Sequence, residues 1–244
     1  MPATPAWPPK SLPRLFVTTA LGEGARVELD AGQANYLGNV LRMKTGAELL
    51  LFDGASGEWL ARIAEAGKKR MTLSVEQRTR QPETIPDLWL AFAPVKKARI
   101  DWLVEKATEL GAARLIPVTT QRTIVERLKL DRLRSHIIEA AEQCGRTVLP
   151  ELAEPVTLAR FLQDSARTLY FADENGGEPT RQAFKPCPAT ILIGPEGGFT
   201  DDERTAIRAV PNAVAISLGP RILRAETAAL AALAAYMTVA GDWR

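Results

Sequence analysis

Two stretches carry residues whose types and spacing could do chemistry. In LIGPEGGFTDDE, Leu192 to Glu203, the residues Gly194, Pro195, Gly197 and Gly198 make a bend with Glu196 inside it. In ISLGPRILRAETAALAAL (216–233), Gly219 and Pro220 make a second bend, and Arg221, Arg224, Glu226 and Thr227 crowd the residues just after it. Each stretch runs strand, bend, helix. Thr200 with Glu203 three places on is a capping-box signature for the first helix start. In parallel α/β sheets, ligands bind outside the carboxyl ends of the strands. Two such bends after neighbouring strands of one sheet would form opposite walls of one pocket. A plain capped turn accounts for the first bend, and a local Arg224–Glu226 salt bridge for the second. Neither accounts for their common form.

The kind of ligand is narrowed by charge. A dinucleotide fingerprint would come early in the chain and place pyrophosphate on a helix N-terminus. This bend comes late, its glycines are spaced differently, and its helix opens with Asp201, Asp202 and Glu203. Carboxylates there suit the helix dipole but repel phosphate, so a neutral or cationic ligand is expected. His136 is the single histidine, which argues against histidine triads and multi-histidine metal sites. Its apolar neighbours Ile137 and Ile138 mark it as structural. Cys144 and Cys187 have no metal-like spacing, and a reduced cytosol is the simplest compartment.

These bends need a scaffold, and the 244 residues supply one with 46% hydrophobic and 25% charged residues, as in ordinary soluble proteins. No apolar run approaches the ~18–20 residues of a membrane span. The proline-rich residues 1–13 make a poor signal peptide and read as a flexible lead-in. Residues 14–80 hold short strand-like runs (RLFVT, ARVELD, ELLLFDG, EWLARI, RMTLSVEQ) with turn signals such as DGASG between them. One segment, AGQANYLGNVLRM (31–43), has helical spacing through Tyr36, Leu37, Val40, Leu41 and Met43. Together they suggest a small barrel. Residues 81–86 carry prolines and read as a linker. From 87 to 244 strands alternate with helices, which implies a mostly parallel α/β sheet. Net charge is +2. Residues 1–82 hold 11 Lys and Arg against 8 Asp and Glu, and the remainder 20 against 21. The basic runs GKKR (67–70), RTR (78–80) and KKAR (96–99) read as solvated turns and helix faces when charge is the only evidence.

The two late segments, LIGPEGGFTDDE and SLGPRILRAETAALAAL, resemble the hallmark segments of the RsmE-type methyltransferases of the SPOUT superfamily. KARIDWLVEKATELGAARLIPV, EAAEQCGR, NYLGNVLRMKTGAELLLFDG and RLFV are similar to further family segments, so the likeness runs from about Arg14 to the C-terminus. Asn35 stands where the family commonly has histidine, and Ala225 where it commonly has threonine. The resemblance implies a PUA-like RNA-binding barrel over 14–80, followed over 87–244 by a parallel α/β domain tied in a deep trefoil knot. It further implies methylation of uridine N3 in 16S ribosomal RNA, with S-adenosylmethionine as cofactor and a homodimer as the active form. Gly194, Glu196, Gly197 and Gly198 match one cofactor loop, and Leu218, Gly219, Ile222 and Leu223 the other. A sulfonium cofactor without phosphate suits the acidic helix start.

Uridine N3 carries an imide proton, so a base must remove it or a cation must stabilise the anion developing on O2 or O4. Arg224, directly after the second bend, is the candidate for anion stabilisation. Glu226 could accept a proton or orient Arg224, and Glu196 could bind cofactor or brace its loop. Glu105 and Lys106 are weaker candidates. On the barrel, Arg14, Arg42 and Lys44 could contact phosphates of the RNA or small ribosomal subunit. Tyr36 could stack on a base, although its spacing with Leu37 and Val40 favours the core. The rival readings are a nucleotide- or NAD-dependent enzyme, opposed by the lack of a matching phosphate loop, and a non-catalytic RNA-binding or ribosome-assembly factor, opposed by the intact bends with Arg224 and Glu226.

Overall fold

The computed structural model describes residues 12–67, 70–125, 127–163 and 166–243. Most of the proline-rich lead-in and Lys68–Lys69 of the GKKR run lie outside the described residues. The chain forms two compact units: Met1–Glu83 with Gly145–Val148, and Thr84–Cys144 with Leu149–Arg244.

The first unit is built on β1 (Arg14–Phe16), β2 (Arg26–Glu28), α1 (Ala31–Asn35), β3 (Glu48–Phe52), β4 (Glu58–Ala66) and β5 (Met71–Arg80). Its five strands run in the order β1-β3-β4-β5-β2, with β1 parallel to β3 and the other pairs antiparallel. The period-two alternation is visible in the burial. Leu49 and Leu51, Ala61 and Ile63, and Met71, Leu73 and Val75 point into one core. DGASG makes the expected turn, in which Asp53 accepts from the backbone N–H of Leu21, Ala55 and Ser56. Burial would raise the Asp53 pKa, but those hydrogen bonds outweigh it and hold the carboxyl below its ordinary range.

Two features of this unit differ from the sequence reading. The helix expected over 31–43 is α-helical only to Asn35, then winds as a π-helix over Tyr36–Val40, and Arg42 takes a positive φ of 55°. Wider winding changes which side chains share a face. Leu37 stays buried, whereas Tyr36 is 40% and Val40 62% exposed. Tyr36 is therefore not a core residue. Nor are residues 81–83 a free tether, because Glu83 Oε1 accepts from the backbone N–H of Thr147 and Val148 at 3.0 Å.

The second unit contains β6 (Leu88–Phe92), α2 (Lys97–Glu109), β7 (Arg114–Thr119), α3 (Leu130–Cys144), β8 (Glu151–Leu152), β9 (Val156–Thr157), α4 (Leu158–Leu162), β10 (Thr168–Ala172), β11 (Glu178–Pro179), α5 (Thr180–Ala183), β12 (Ala189–Ile193), α6 (Asp201–Arg208), β13 (Ala213–Ser217) and α7 (Ala225–Val239). The strands run in the order β11-β13-β10-β12-β6-β7-β8, with β9 beside β7, and every pairing is parallel. All five residues of β12 are buried, as expected for a strand covered on both faces. One core packs α2, α3 and α7 against the sheet, and a second core includes Phe171, Leu192, Phe199 and Ile207. The sequence placed the two bends after neighbouring strands. In the sheet β10 lies between β12 and β13. The pairing lost to pattern-reading is long-range, since β10 joins strands that follow it in the chain. Among the described residues, no helix is long and apolar enough to cross a membrane.

Candidate active site

The carboxyl ends of β10, β12 and β13 open onto a cavity of about 460 Å³. β12 delivers Gly194, Glu196 and Gly198, and β13 delivers Leu218, Gly219, Ile222 and Leu223, followed by Arg224. The strand between them contributes Asp173, Glu174 and Gly176. The first bend is shaped by close contact. A Cβ on Gly194 would stand 3.0 Å from the Phe199 ring. At Gly198, where φ is +68°, it would stand 2.7 Å from Glu174 Oε1. The bend is also anchored by the capping box. Thr200 Oγ1 accepts from the Glu203 backbone N–H at 3.2 Å, and Glu203 Oε2 accepts from the Thr200 N–H at 2.9 Å. Glu203 Oε1 takes a third bond, from the Gln121 N–H at 2.7 Å.

Gly197 stands apart from the other glycines of the bend. It does not line the cavity. Its carbonyl accepts from Arg122 Nη1 at 2.5 Å, and a Cβ there would meet the aliphatic stem of Arg122.

The electrostatics differ from the picture of an acidic helix start. Asp201, Asp202 and Glu203 are absent from the cavity wall, and the carboxylates that reach it are Asp173, Glu174 and Glu196. Asp173 is fully buried and neutralised by Arg204 at 3.1 Å and Arg208 at 2.7 Å. Glu174 pairs with Arg204 at 3.3 Å. Glu196 pairs with Arg99, whose Nε also lies 3.5 Å from Glu226. Glu226 is buried, off the cavity wall, and its Oε2 has no hydrogen-bond partner among the described residues. The local Arg224–Glu226 salt bridge is not formed. Arg224 is exposed at the N-cap of α7 and makes no ion pair with a described residue.

The other candidates lie elsewhere. His136 is on α3 beside Asp101 (3.7 Å) and Glu139 (3.9 Å), and Lys106 pairs with Glu105 and Glu109 on the surface of α2. On the first unit Arg42 and Lys44 are exposed. Arg14 is not a free surface cation. It donates to Glu58 at 2.7 Å and to the Arg146 carbonyl, and it lies over the Phe52 ring. Sequence reasoning missed Asp173, Glu174, Arg204 and Arg99. FADENGG does hold a signal, a strand end followed by acids and a Gly-Gly turn. The KKAR run gave none, because Arg99 reads as one more surface charge.

A family model described as the RNA methyltransferase domain matches residues 81–237, and one described as the RNA methyltransferase PUA domain matches 29–76. The ribosomal RNA small subunit methyltransferase E of Rickettsia conorii is 33% identical over 227 residues, covering 91% of this chain and 93% of that protein. The chain belongs to the ribosomal RNA small subunit methyltransferase E family.

Two solved structures are similar to this chain over nearly its whole length. A Neisseria gonorrhoeae methyltransferase E bound to S-adenosylmethionine is 30% identical with a TM-score of 0.85, over 96% of this chain and all of that one. A Legionella pneumophila protein in complex with the same cofactor is 32% identical with a TM-score of 0.88, over the same shares. The family fold explains the two units. The mixed sheet of the first is PUA-like, and the parallel sheet of the second is that of the SPOUT methyltransferases.

Proposed function

We propose that the chain transfers a methyl group from S-adenosylmethionine to N3 of a uridine in 16S ribosomal RNA, in the cytoplasm. The observation that carries this reading is the convergence of three parallel strand ends on one cavity bounded by both glycine bends. Its volume falls within the roughly 300–1,000 Å³ of small-molecule sites.

The residues fit the cofactor. Phe199, Leu218, Ile222 and Leu223 give the wall apolar surface for an adenosyl group, and its carboxylates lie beside arginines. Gly194, Glu196 and Gly198 on one side, and Leu218, Gly219, Ile222 and Leu223 on the other, would hold it. Gly197 would act by fixing the bend through Arg122. When bound, S-adenosylmethionine supplies an electrophilic methyl on a positive sulfonium.

The chain's own groups then do two things. They hold the uracil ring in line with that methyl, which is worth several kcal/mol of barrier. They also stabilise the anion left when the N3 proton departs to water. Arg224, exposed at the rim and without a competing carboxylate, is the residue for that second task. Glu226 is held by Arg99 rather than by Arg224, so it supports the wall from behind.

Arg42 and Lys44 of the first unit would meet RNA phosphates. A homodimer through α7 would cover the half-buried Ala234 and Ala235, which border a shallow depression with Arg181, Thr238 and Val239. Calorimetry with S-adenosylmethionine and base-resolved mapping of methylated 16S RNA test the assignment. Cofactor-independent RNA binding without methyl transfer would replace it with an assembly factor.

A further inference from the structure

Arg99 lies on α2, outside the cavity wall, yet it pairs with carboxylates from two segments far apart in sequence. Glu196 sits in the bend after β12 and lines the cavity. Glu226 sits in the first turn of α7, two residues past Arg224 and one past Ala225, both of which line it. Among the described side chains, which exclude that of Lys97, no other cation pairs with either carboxylate. Glu226 is buried with Oε2 unpartnered, and among the described side chains Arg99 is its one counter-charge, without which the carboxylate would be stranded. The planar guanidinium fork can address two carboxylates at once, whereas a lysine ammonium acts as a point charge.

We propose that Arg99 is a positioning residue for the cofactor cavity, clamping the Glu196 bend to the start of α7 and so fixing the separation of the two walls. The proposal rests on the cofactor reading above. It assigns no chemical step to Arg99. With the clamp in place, the bend reaches its ligand-binding shape before the ligand arrives, and less of the binding free energy goes into ordering it.

The test compares wild type with Arg99→Lys, Arg99→Gln, Glu226→Gln and the double variant Arg99→Gln/Glu226→Gln. Arg99→Gln should weaken S-adenosylmethionine binding about tenfold by calorimetry, within the usual range of coupling between sites. Its melting temperature should also fall, because Glu226 is stranded. The double variant should regain melting temperature, since no buried charge is left alone, but not cofactor affinity. Arg99→Lys should fall between wild type and Arg99→Gln in affinity. Without ligand, backbone amides 194–199 should exchange faster in both Arg99→Gln proteins. Recovery of affinity together with melting temperature in the double variant would reduce Arg99 to a stabilising partner of Glu226. Unchanged affinity and exchange in Arg99→Gln would overturn the clamp outright. Failure of the wild type to bind S-adenosylmethionine would count against the cofactor assignment, and amide exchange would still decide the clamp.

Discussion

Glu226 is held by Arg99, 3.5 Å away, and not by Arg224, two residues before it. The two charges that the sequence crowds together therefore stand in different surroundings. Arg224 points to the cavity and stays unpaired among the described residues, while Glu226 turns into the protein.

Arg224 should consequently serve the reaction more than cofactor affinity. Arg224→Ala is expected to lower kcat by about 10²–10³, the usual cost of removing one group that stabilises developing negative charge. The dissociation constant for S-adenosylmethionine should change little. Steady-state kinetics beside calorimetry checks this, and parallel losses in both would reassign Arg224 to cofactor binding.

The glycines of the first bend should not be equivalent. An alanine at Gly198 meets both the left-handed φ and the Glu174 carboxylate, and one at Gly194 meets the Phe199 ring. The left-handed backbone alone costs a side chain about 1–2 kcal/mol, so Gly198→Ala should weaken cofactor binding about tenfold. Gly197→Ala meets only the flexible stem of Arg122 and should bind nearly as wild type. Equal losses at 197 and 198 would mean that the Glu174 contact and the left-handed φ of Gly198 do not shape the site.

Glu58 gives the first unit an acid-sensitive point. Burial would raise its pKa, but hydrogen bonds from Arg80 and Arg14 outweigh that and hold it below the ordinary 4.5. A carboxyl lowered in the folded state contributes stability above the unfolded pKa and loses it as pH falls through the folded value. Glu58→Gln should therefore destabilise the protein at pH 7, by about 3–5 kcal/mol, typical of breaking a buried pair. It should also flatten the stability profile below pH 4.5. Denaturant titrations at several pH values read both effects.

Tyr170 gives the second unit an alkaline counterpart. Burial pushes its pKa up to about 12 from 10, with the nearby Cys187 adding to the rise and the Lys185 N–H opposing it. A group raised in the folded state contributes fully below the unfolded pKa, and that contribution is lost as pH rises through the folded value. Melting temperature should therefore drop between pH 10 and about 12, and drop less in Tyr170→Phe. Identical profiles would place the alkaline transition elsewhere.

The legible parts were those encoded locally. The capping box of Thr200 and Glu203, the period-two strands of the first unit and the strand-bend-helix grammar of both glycine-bend segments all depend on residues within a few positions of one another. The missed parts depend on pairings across the chain. β10 enters between β12 and β13 and carries Asp173 and Glu174 into the wall, and Arg99 reaches residues about a hundred positions away. Arg14 reads in the sequence as a candidate phosphate contact because nothing nearby announces Glu58. Tyr36 reads as core in the sequence because helical spacing presumes α-winding, and the π-turn breaks it.

The cavity between the two bends should drive methylation of one RNA base. The direct measurement incubates the purified protein with small ribosomal subunits, 16S RNA and S-adenosylmethionine carrying a labelled methyl, then maps the label by nuclease digestion and mass spectrometry. One labelled uridine, methylated at N3, is expected, with the initial rate of labelling in Arg224→Ala lower by about 10²–10³. Label on another base or atom, or cofactor binding with no transfer to either substrate, would contradict it.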